Sequence, residues 1–282
     1  MRGFFGHAAA HALALAVATA GIAATQPPAR GSQPPKRTPP ATAKRAPAPP
    51  VAPRTEASVP FRVGETLTYD VSWSQYMVAG SAVSRVVEKR AAPNAPAYYI
   101  VAEGKPLPII ARIYALYYKM DSLLDSFTTL SQHTSLYTEE GSRKRSVSTT
   151  FNRAAKRAVF EMQTDPPGKS EFAVPADVQD GLATLYALRA RAFKSGDRIT
   201  VPVTDEGMLY STTFEVGAAE AVKVPFGSVT AWNLGVTILD ATGQPAARNV
   251  RAWISTDARR LPIKIQADLP VGSFILALRA AQ

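Results

Sequence analysis

The sequence predicts a mainly β fold, in which a single curved antiparallel sheet forms an open barrel or β-spiral around one amphipathic helix. Two observations support this prediction. Segments of alternating apolar and polar residues occur on both sides of one segment with helical spacing, residues 177–193. A sheet with so many strands has to curl or close to protect its edges, and the apolar stripe of the helix gives it a surface to curl around.

The first half of the chain contains the clearest alternation. In "GETLTYDVSW", Leu67, Tyr69, Val71 and Trp73 lie on one face of the predicted strand and polar residues on the other. Residues 109–118 fit either a short buried helix or a broad apolar strand, and we favour a short helix or irregular segment followed by a strand from about residue 118. The other predicted strands are residues 81–89, 95–104 and three threonine-rich hairpin strands within 128–164.

The segment "PADVQDGLATLYALRARAFKSGD" predicts the helix. Asp177 is the expected N-cap, and Gly196 is the expected stop signal. Basic residues near the end of the segment complement the helix dipole. The residues that form the predicted apolar stripe are Val178, Leu182, Leu185, Ala192 and Phe193.

Strands resume after the helix. The stretch "RAWISTDARRLPIKIQA" contains Ser255 and Asp257, which could belong to a reactive site or to a hairpin turn. No histidine or other base lies near them in sequence, and aspartate commonly accepts backbone hydrogen bonds in tight turns, so we predict a turn. The predicted strands of this half are residues 198–204, 208–217, 220–225, 229–240, 247–256, 261–268 and 272–280.

The N-terminal region predicts export. Residues 1–25 combine Arg2, an alanine-rich apolar stretch and small residues at two candidate cleavage sites, which is typical of a cleaved signal peptide. Residues 26–58 contain ten prolines and six basic residues against one acidic residue, which predicts a disordered linker. Residues 59–282 are then the β-rich domain, and none of its segments is long and apolar enough to span a membrane as a helix.

The absence of cysteine narrows the possibilities further. With no cysteine in the sequence, we expect no disulfide, no thiol chemistry and no lipid anchor on a cysteine, so the chain is not predicted to be a lipoprotein. An exported chain of this kind is expected in the periplasm of a bacterium with two membranes. Nucleic acid is not an expected partner there, despite the formal net charge of +10.

The sequence contains no recognisable catalytic constellation. His7 and His11 leave with the predicted signal peptide, so a triad or a histidine metal site would depend on His133 alone. The Gly-x-Ser-x-Gly nucleophile elbow and the glycine loops that bind phosphates are also missing. We therefore predict no catalytic residues, no metal site and no cofactor, and a non-enzymatic protein.

Two sets of side chains are candidates for binding. An aromatic set either lines a cavity for an apolar ligand or fills an ordinary core: Trp73, Tyr114, Tyr117, Tyr118, Trp232 and Phe274. A basic set either contacts an anionic envelope lipid or wall polymer or guards a sheet edge against aggregation: Arg143, Lys144, Arg145, Arg153, Lys156 and Arg157.

The order of several segments resembles one protein family. "FRVGETLTYDVSW" and "AWISTDARRLPIKIQADLPVGSFILAL" resemble the two ends of the domain of unknown function 3108 family. Between them, "DVQDGLATLYALRAR", "GDRITVPVTDEGMLYSTTFEV" and "VPFGSVTAWNL" follow that family's order over about residues 59–282. The resemblance implies an exported β-rich envelope protein and brings no catalytic residues with it. The expected function is a binding or structural role in envelope integrity; the alternative is a carrier of a lipid or another apolar ligand.

Overall fold

One antiparallel sheet of fourteen strands accounts for most of the described chain. The computed structural model describes residues 54–73, 77–112, 115–164, 166–269 and 272–282. The predicted signal peptide and residues 26–53 of the predicted linker lie outside these residues.

The strands follow one another in two meanders, with one short helix in the first half and a longer one between the halves. The first half contains β1 Thr66–Trp73, β2 Met77–Arg90, β3 Ala97–Pro106, α1 Pro108–Ala111, β4 Leu116–Asp125, β5 Ser131–Glu140, β6 Arg143–Asn152, β7 Arg157–Met162 and β8 Gly168–Ala173. Helix α2, Gly181–Arg189, precedes β9 Arg198–Asp205, β10 Met208–Val224, β11 Gly227–Leu239, β12 Arg248–Ser255, β13 Pro262–Leu269 and β14 Gly272–Ala281.

The first and last strands join the two meanders in the middle of the sheet. Strand β1 pairs with β14, so the sheet runs from β8 to β1 and then from β14 to β9. The Thr66 amide donates to the Gln282 carbonyl at 3.1 Å, and the Gln282 amide donates back at 3.0 Å. The edges β8 and β9 are not paired with each other, which confirms the predicted open barrel.

Helix α2 fills the centre of this curled sheet. Leu188 belongs to a first apolar cluster with residues of β10, β11 and β12. Tyr186 belongs to a second cluster with residues of β2 to β6, and Leu185 packs against a third cluster built mainly on β1, β13 and β14. Three sides of a nine-residue helix are thus covered by three parts of one sheet.

The helix is shorter than the sequence predicted. Asp180, not Asp177, is the N-cap, because its carboxylate accepts the Ala183 amide at 2.8 Å. The residue before it, Gln179, forms a parallel bridge with Val203 on β9, which takes the preceding backbone out of the helix. The helix also ends at Arg189, so Phe193 joins the first cluster from the following loop.

Two further predictions about strands were wrong. Segments 208–217 and 220–225 were predicted as two strands, but they form one strand, β10. The predicted break between them is a register shift between Val216 and Ala219. Strand β8 was not predicted, since its residues are mostly exposed and lack apolar alternation. An edge strand needs only one neighbour to bond to, and β8 obtains it from β7.

A buried ion pair fixes the C-terminal end of α2. Arg189 is fully buried and donates to both carboxylate oxygens of Glu65, at 2.6 and 2.8 Å. Its Nε also donates to the Arg260 carbonyl at 3.0 Å, in the β12–β13 turn. The guanidinium lies 5.0 Å from the ring centre of Tyr186. Helix, β1 and the β12–β13 turn therefore meet at one side chain.

Replacing Arg189 by methionine should destabilise the protein by about 3–5 kcal/mol, because Glu65 is left buried without its counter-ion. The double variant Glu65→Leu/Arg189→Met should recover part of this loss. The exposed pair of Arg198 with Glu215 offers a matched control, and Arg198→Ala should cost less than about 1 kcal/mol. Urea unfolding measures all three; a loss below 1 kcal/mol in Arg189→Met would contradict the structural role of the pair.

The N-cap assignment makes a second prediction. Asp180 is buried and also accepts hydrogen bonds from Ser122 and Ser131, so Asp180→Ala should lower the free energy of unfolding by about 2 kcal/mol or more. Asp177→Ala, at an exposed turn, should leave it within about 0.5 kcal/mol. Equal effects of the two substitutions in urea unfolding would show that Asp180 is not the cap.

Candidate functional site

The aromatic candidates lie in several environments. Tyr118 is buried in the second cluster, whereas Trp232 and Phe274 pack against the first. Trp73 lies opposite Phe274 across the β1–β14 pair and is 40% exposed. Tyr114 lies outside the described residues. The structure thus groups Trp73 with Phe274, and places Tyr118 in a different part of the interior.

Tyr117 takes part in a polar network on the other face of β4. Since side chains alternate along a strand, Tyr117 points away from the interior that contains Tyr118. Its hydroxyl donates to Glu103 at 2.8 Å, and Glu103 also pairs with Arg85 at 2.8 Å. Partial burial and the neighbouring Glu103 carboxylate raise the pKa of Tyr117 to about 12.

The basic candidates form two groups at opposite ends of the β6 strand. At one end, Lys144 pairs with Glu139 at 3.2 Å and Arg145 with Glu206 at 2.5 Å. Arg143 at this end is exposed. Ten residues of extended chain, roughly 30 Å, separate this group from the other.

The second basic group is partly used by the fold. Arg153 donates to the carbonyls of Ala176 at 2.7 Å, Val178 at 3.0 Å and Ser131, and so fixes the backbone that leads into α2. Arg157 pairs with Glu171 across β7 and β8, and Lys156 is exposed in the β6–β7 turn. These contacts fit the edge-protecting interpretation for this group.

The residues considered for catalysis make structural contacts. The Ser255 hydroxyl donates to Asp257 at 2.6 Å and accepts the Leu261 amide at 2.7 Å, which confirms the turn. His133 lies 3.0 Å from the Thr150 hydroxyl on the neighbouring strand. Within the described residues, no group of three or more histidines, cysteines or carboxylates is placed to hold a metal ion.

A small cavity with mixed polar and apolar walls lies under the β9–β10 turn. It measures about 20 Å³ and is lined by this turn and by strands β4, β5 and β6. The Thr204 hydroxyl, buried at its wall, has no hydrogen-bond partner, and burial together with Glu206 raises the pKa of Asp205 to about 8. A space of this size suits a single water molecule, since about 10–15 Å³ is the minimum.

A wider depression lies on the outside, where β10 bulges. It measures about 550 Å³, and Gly217 and Gly235 contribute to its lining. Two of its charged groups pair with each other, since Arg198 lies 3.2 Å from Glu215, and Glu220 accepts hydrogen bonds from Trp253 and Asn233. Arg251 is exposed among the lining residues.

Exposed apolar side chains gather at one end of the sheet. Trp73 ends β1 opposite Met77, which begins β2, and Val78 follows on β2. The Leu107 amide donates to the Ala79 carbonyl at 2.8 Å, which places α1 and its exposed Ile109 beside this hairpin. We call Trp73, Met77, Val78 and Ile109 the apolar rim. Of these four residues only Trp73 was a candidate from the sequence, because strand pairing is needed to bring the others to it.

Known proteins resemble this chain in family and in fold. Residues 68–279 match a family described as "Protein of unknown function (DUF3108)". The crystal structure of a beta-barrel-like protein of domain of unknown function DUF1849 from Brucella abortus is similar, with a TM-score of 0.51 and 11% identity over 78% of this chain and 97% of that one. An 11% identical protein from Bacteroides fragilis, described as exported with a YmcC-like fold, has a TM-score of 0.33 over 81% of this chain and 100% of that one.

No curated protein matches the chain. In the described part of the chain, neither helix has the length and apolar character needed to cross a membrane.

The partly buried carboxyl of Asp205 predicts a pH-dependent stability. Since its pKa in the folded protein is about 8 instead of the usual 3.8, the folded state keeps a proton that the unfolded state releases. Stability should therefore fall as pH rises from about 4 to about 8. Asp205→Asn should remove this part of the slope and be more stable than wild type by about 1–3 kcal/mol at pH 8.5.

Asp240 provides the control of opposite sign. Hydrogen bonds from Thr242 and Gln244 lower the pKa of its carboxyl, so Asp240→Asn should be less stable than wild type at neutral pH, and the difference should disappear as pH falls. Urea midpoints between about pH 2 and pH 8.5 measure both effects, because the contribution of Asp240 is lost only below the usual pKa of 3.8. Identical pH slopes for wild type and Asp205→Asn would contradict the burial of Asp205.

Proposed function

This chain belongs to the DUF3108 family, and we propose that it is an exported, non-enzymatic periplasmic protein of the bacterial cell envelope that acts by binding. The observation that carries the proposal is the filled interior, in which α2 packs against three parts of the sheet. A sheet packed in this way is a rigid support for surfaces at its ends. The signal-like sequence of residues 1–25 supports the location.

The polar residues inside support a binding protein over an enzyme. Arg189 and Glu65 bond to each other, and Asp180 caps the helix. Ser255 and Asp257 hold a turn. A catalytic group needs to face substrate with an adjusted pKa, and these groups face the fold instead.

The carrier alternative makes a different demand on the interior. An apolar ligand needs an accessible pocket of roughly 300 Å³ or more, lined by apolar side chains. The positions that would line it near the helix, such as Tyr118 and Leu182, are occupied in packing. We therefore favour binding at the surface. An apolar ligand bound in the interior would instead support the carrier function.

Native mass spectrometry of the gently purified mature protein should give the mass of the bare chain. The variant Leu182→Ala is the matched control, because it opens a cavity in the second cluster. Added benzene should bind to this cavity and show that the measurement detects an apolar ligand in the interior. A co-purified lipid on the wild type would establish the carrier instead. Turnover of peptidoglycan or of nitrophenyl esters, lost on one substitution, would overturn the non-enzymatic assignment.

A further inference from the structure

The apolar rim is formed by chain segments that are distant in sequence. Strand pairing sets Trp73 opposite Met77 and also opposite Phe274, and α1 continues from β3, whose last residue pairs with Gly80. The exposed fractions are 40% for Trp73, 53% for Met77, 38% for Val78 and 69% for Ile109. Four such residues at one end of a sheet mark an interaction site, whereas single exposed apolar residues are ordinary. Met77 and Val78 are consecutive on β2 and point to opposite faces, so the apolar rim includes both faces of this strand end.

Cationic side chains lie at the same end of the sheet, on the β3 to β6 side of the β1–β2 hairpin. Lys105 is exposed near the end of β3, and Arg112 is exposed directly after α1. The Gly141 amide donates to the Ala115 carbonyl at 2.8 Å, which brings the β5–β6 hairpin, with exposed Arg143, next to the start of β4. The acidic residues nearby are partly neutralised, since Glu139 already pairs with Lys144.

This combination is the one that a lipid surface recognises. Tryptophan and aliphatic side chains enter the boundary between headgroups and acyl chains, while lysine and arginine remain at the level of anionic headgroups. A surface that binds a protein partner more often has a packed apolar centre with polar residues at its periphery. Here the exposed apolar residues lie at strand ends and on α1, and the cations lie at the same end of the sheet.

We propose that this end of the barrel docks on the surface of an anionic lipid bilayer, with the apolar rim inserted and Lys105, Arg112 and Arg143 against the headgroups. The inference rests on the proposed function for its location, since only an exported protein meets such a surface in the envelope. It adds the partner and the surface that binds it.

Vesicle flotation of the full mature chain tests the docking. Vesicles of phosphatidylcholine with 30% phosphatidylglycerol should carry the protein upward, and pure phosphatidylcholine vesicles should carry at least fivefold less. Val78→Ser combined with Ile109→Ser should lower the bound fraction at least fivefold. Val87→Ser is the matched control on the same strand, 45% exposed at the other end of β2, and should leave binding unchanged. Urea midpoints should stay within error for all variants, because the replaced side chains are exposed.

A second measurement locates the contact. Vesicles containing brominated lipid should quench tryptophan fluorescence in the wild type, and Trp73→Phe, which retains Trp232 and Trp253, should lose most of the quenching. Binding that the Val78→Ser/Ile109→Ser variant retains would overturn the docking surface and point to the basic linker. Equal binding to neutral and anionic vesicles would also overturn it, because the cations would then contribute nothing. Absence of flotation would also overturn it, while the native mass and turnover assays would still decide the proposed function.

Discussion

The buried bond between Arg189 and Glu65 is the constraint on which the structure depends. A helix of nine residues is too short to be stable alone, so α2 exists because the sheet packs around it. An ion pair in the interior is stabilising only when its geometry is good and the remaining donors are satisfied. Arg189 meets this condition, because Glu65 accepts two of its hydrogen bonds and carbonyls of the β12–β13 turn accept others.

The opposite end of the helix closes the sheet. Gln179 bridges to β9 just before the N-cap, and Arg153 binds the same backbone from the β6–β7 turn. The β9–β10 turn then lies against β7, where a Cβ on Gly207 would be 3.2 Å from the Phe160 ring. The two sheet edges are thus joined through the segment leading into α2 and through side-chain packing, without a direct ladder between them.

A filled barrel leaves its ends as the places for function. The backbone of the walls is used in strand pairing and the interior is filled by the helix, so the ends of the barrel remain accessible. The apolar rim occurs at such an end, where β1, β2, α1 and β14 meet. Rigidity and binding are compatible here because different residues serve them: Arg189 and Asp180 stabilise the centre, and Ile109 and Val78 face outward.

Local patterns in the sequence determined the fold class, most strands, the presence of one central helix and the turn at Ser255 and Asp257. Alternation and turn chemistry act over a few residues, so they can be seen in the chain itself. Tertiary structure alone decided that Asp180 caps the helix, that Arg189 is buried and that Met77, Val78 and Ile109 lie with Trp73 at one end of the sheet. These outcomes depend on which distant backbone and side-chain groups come together, and pairing between strands far apart in sequence sets those contacts.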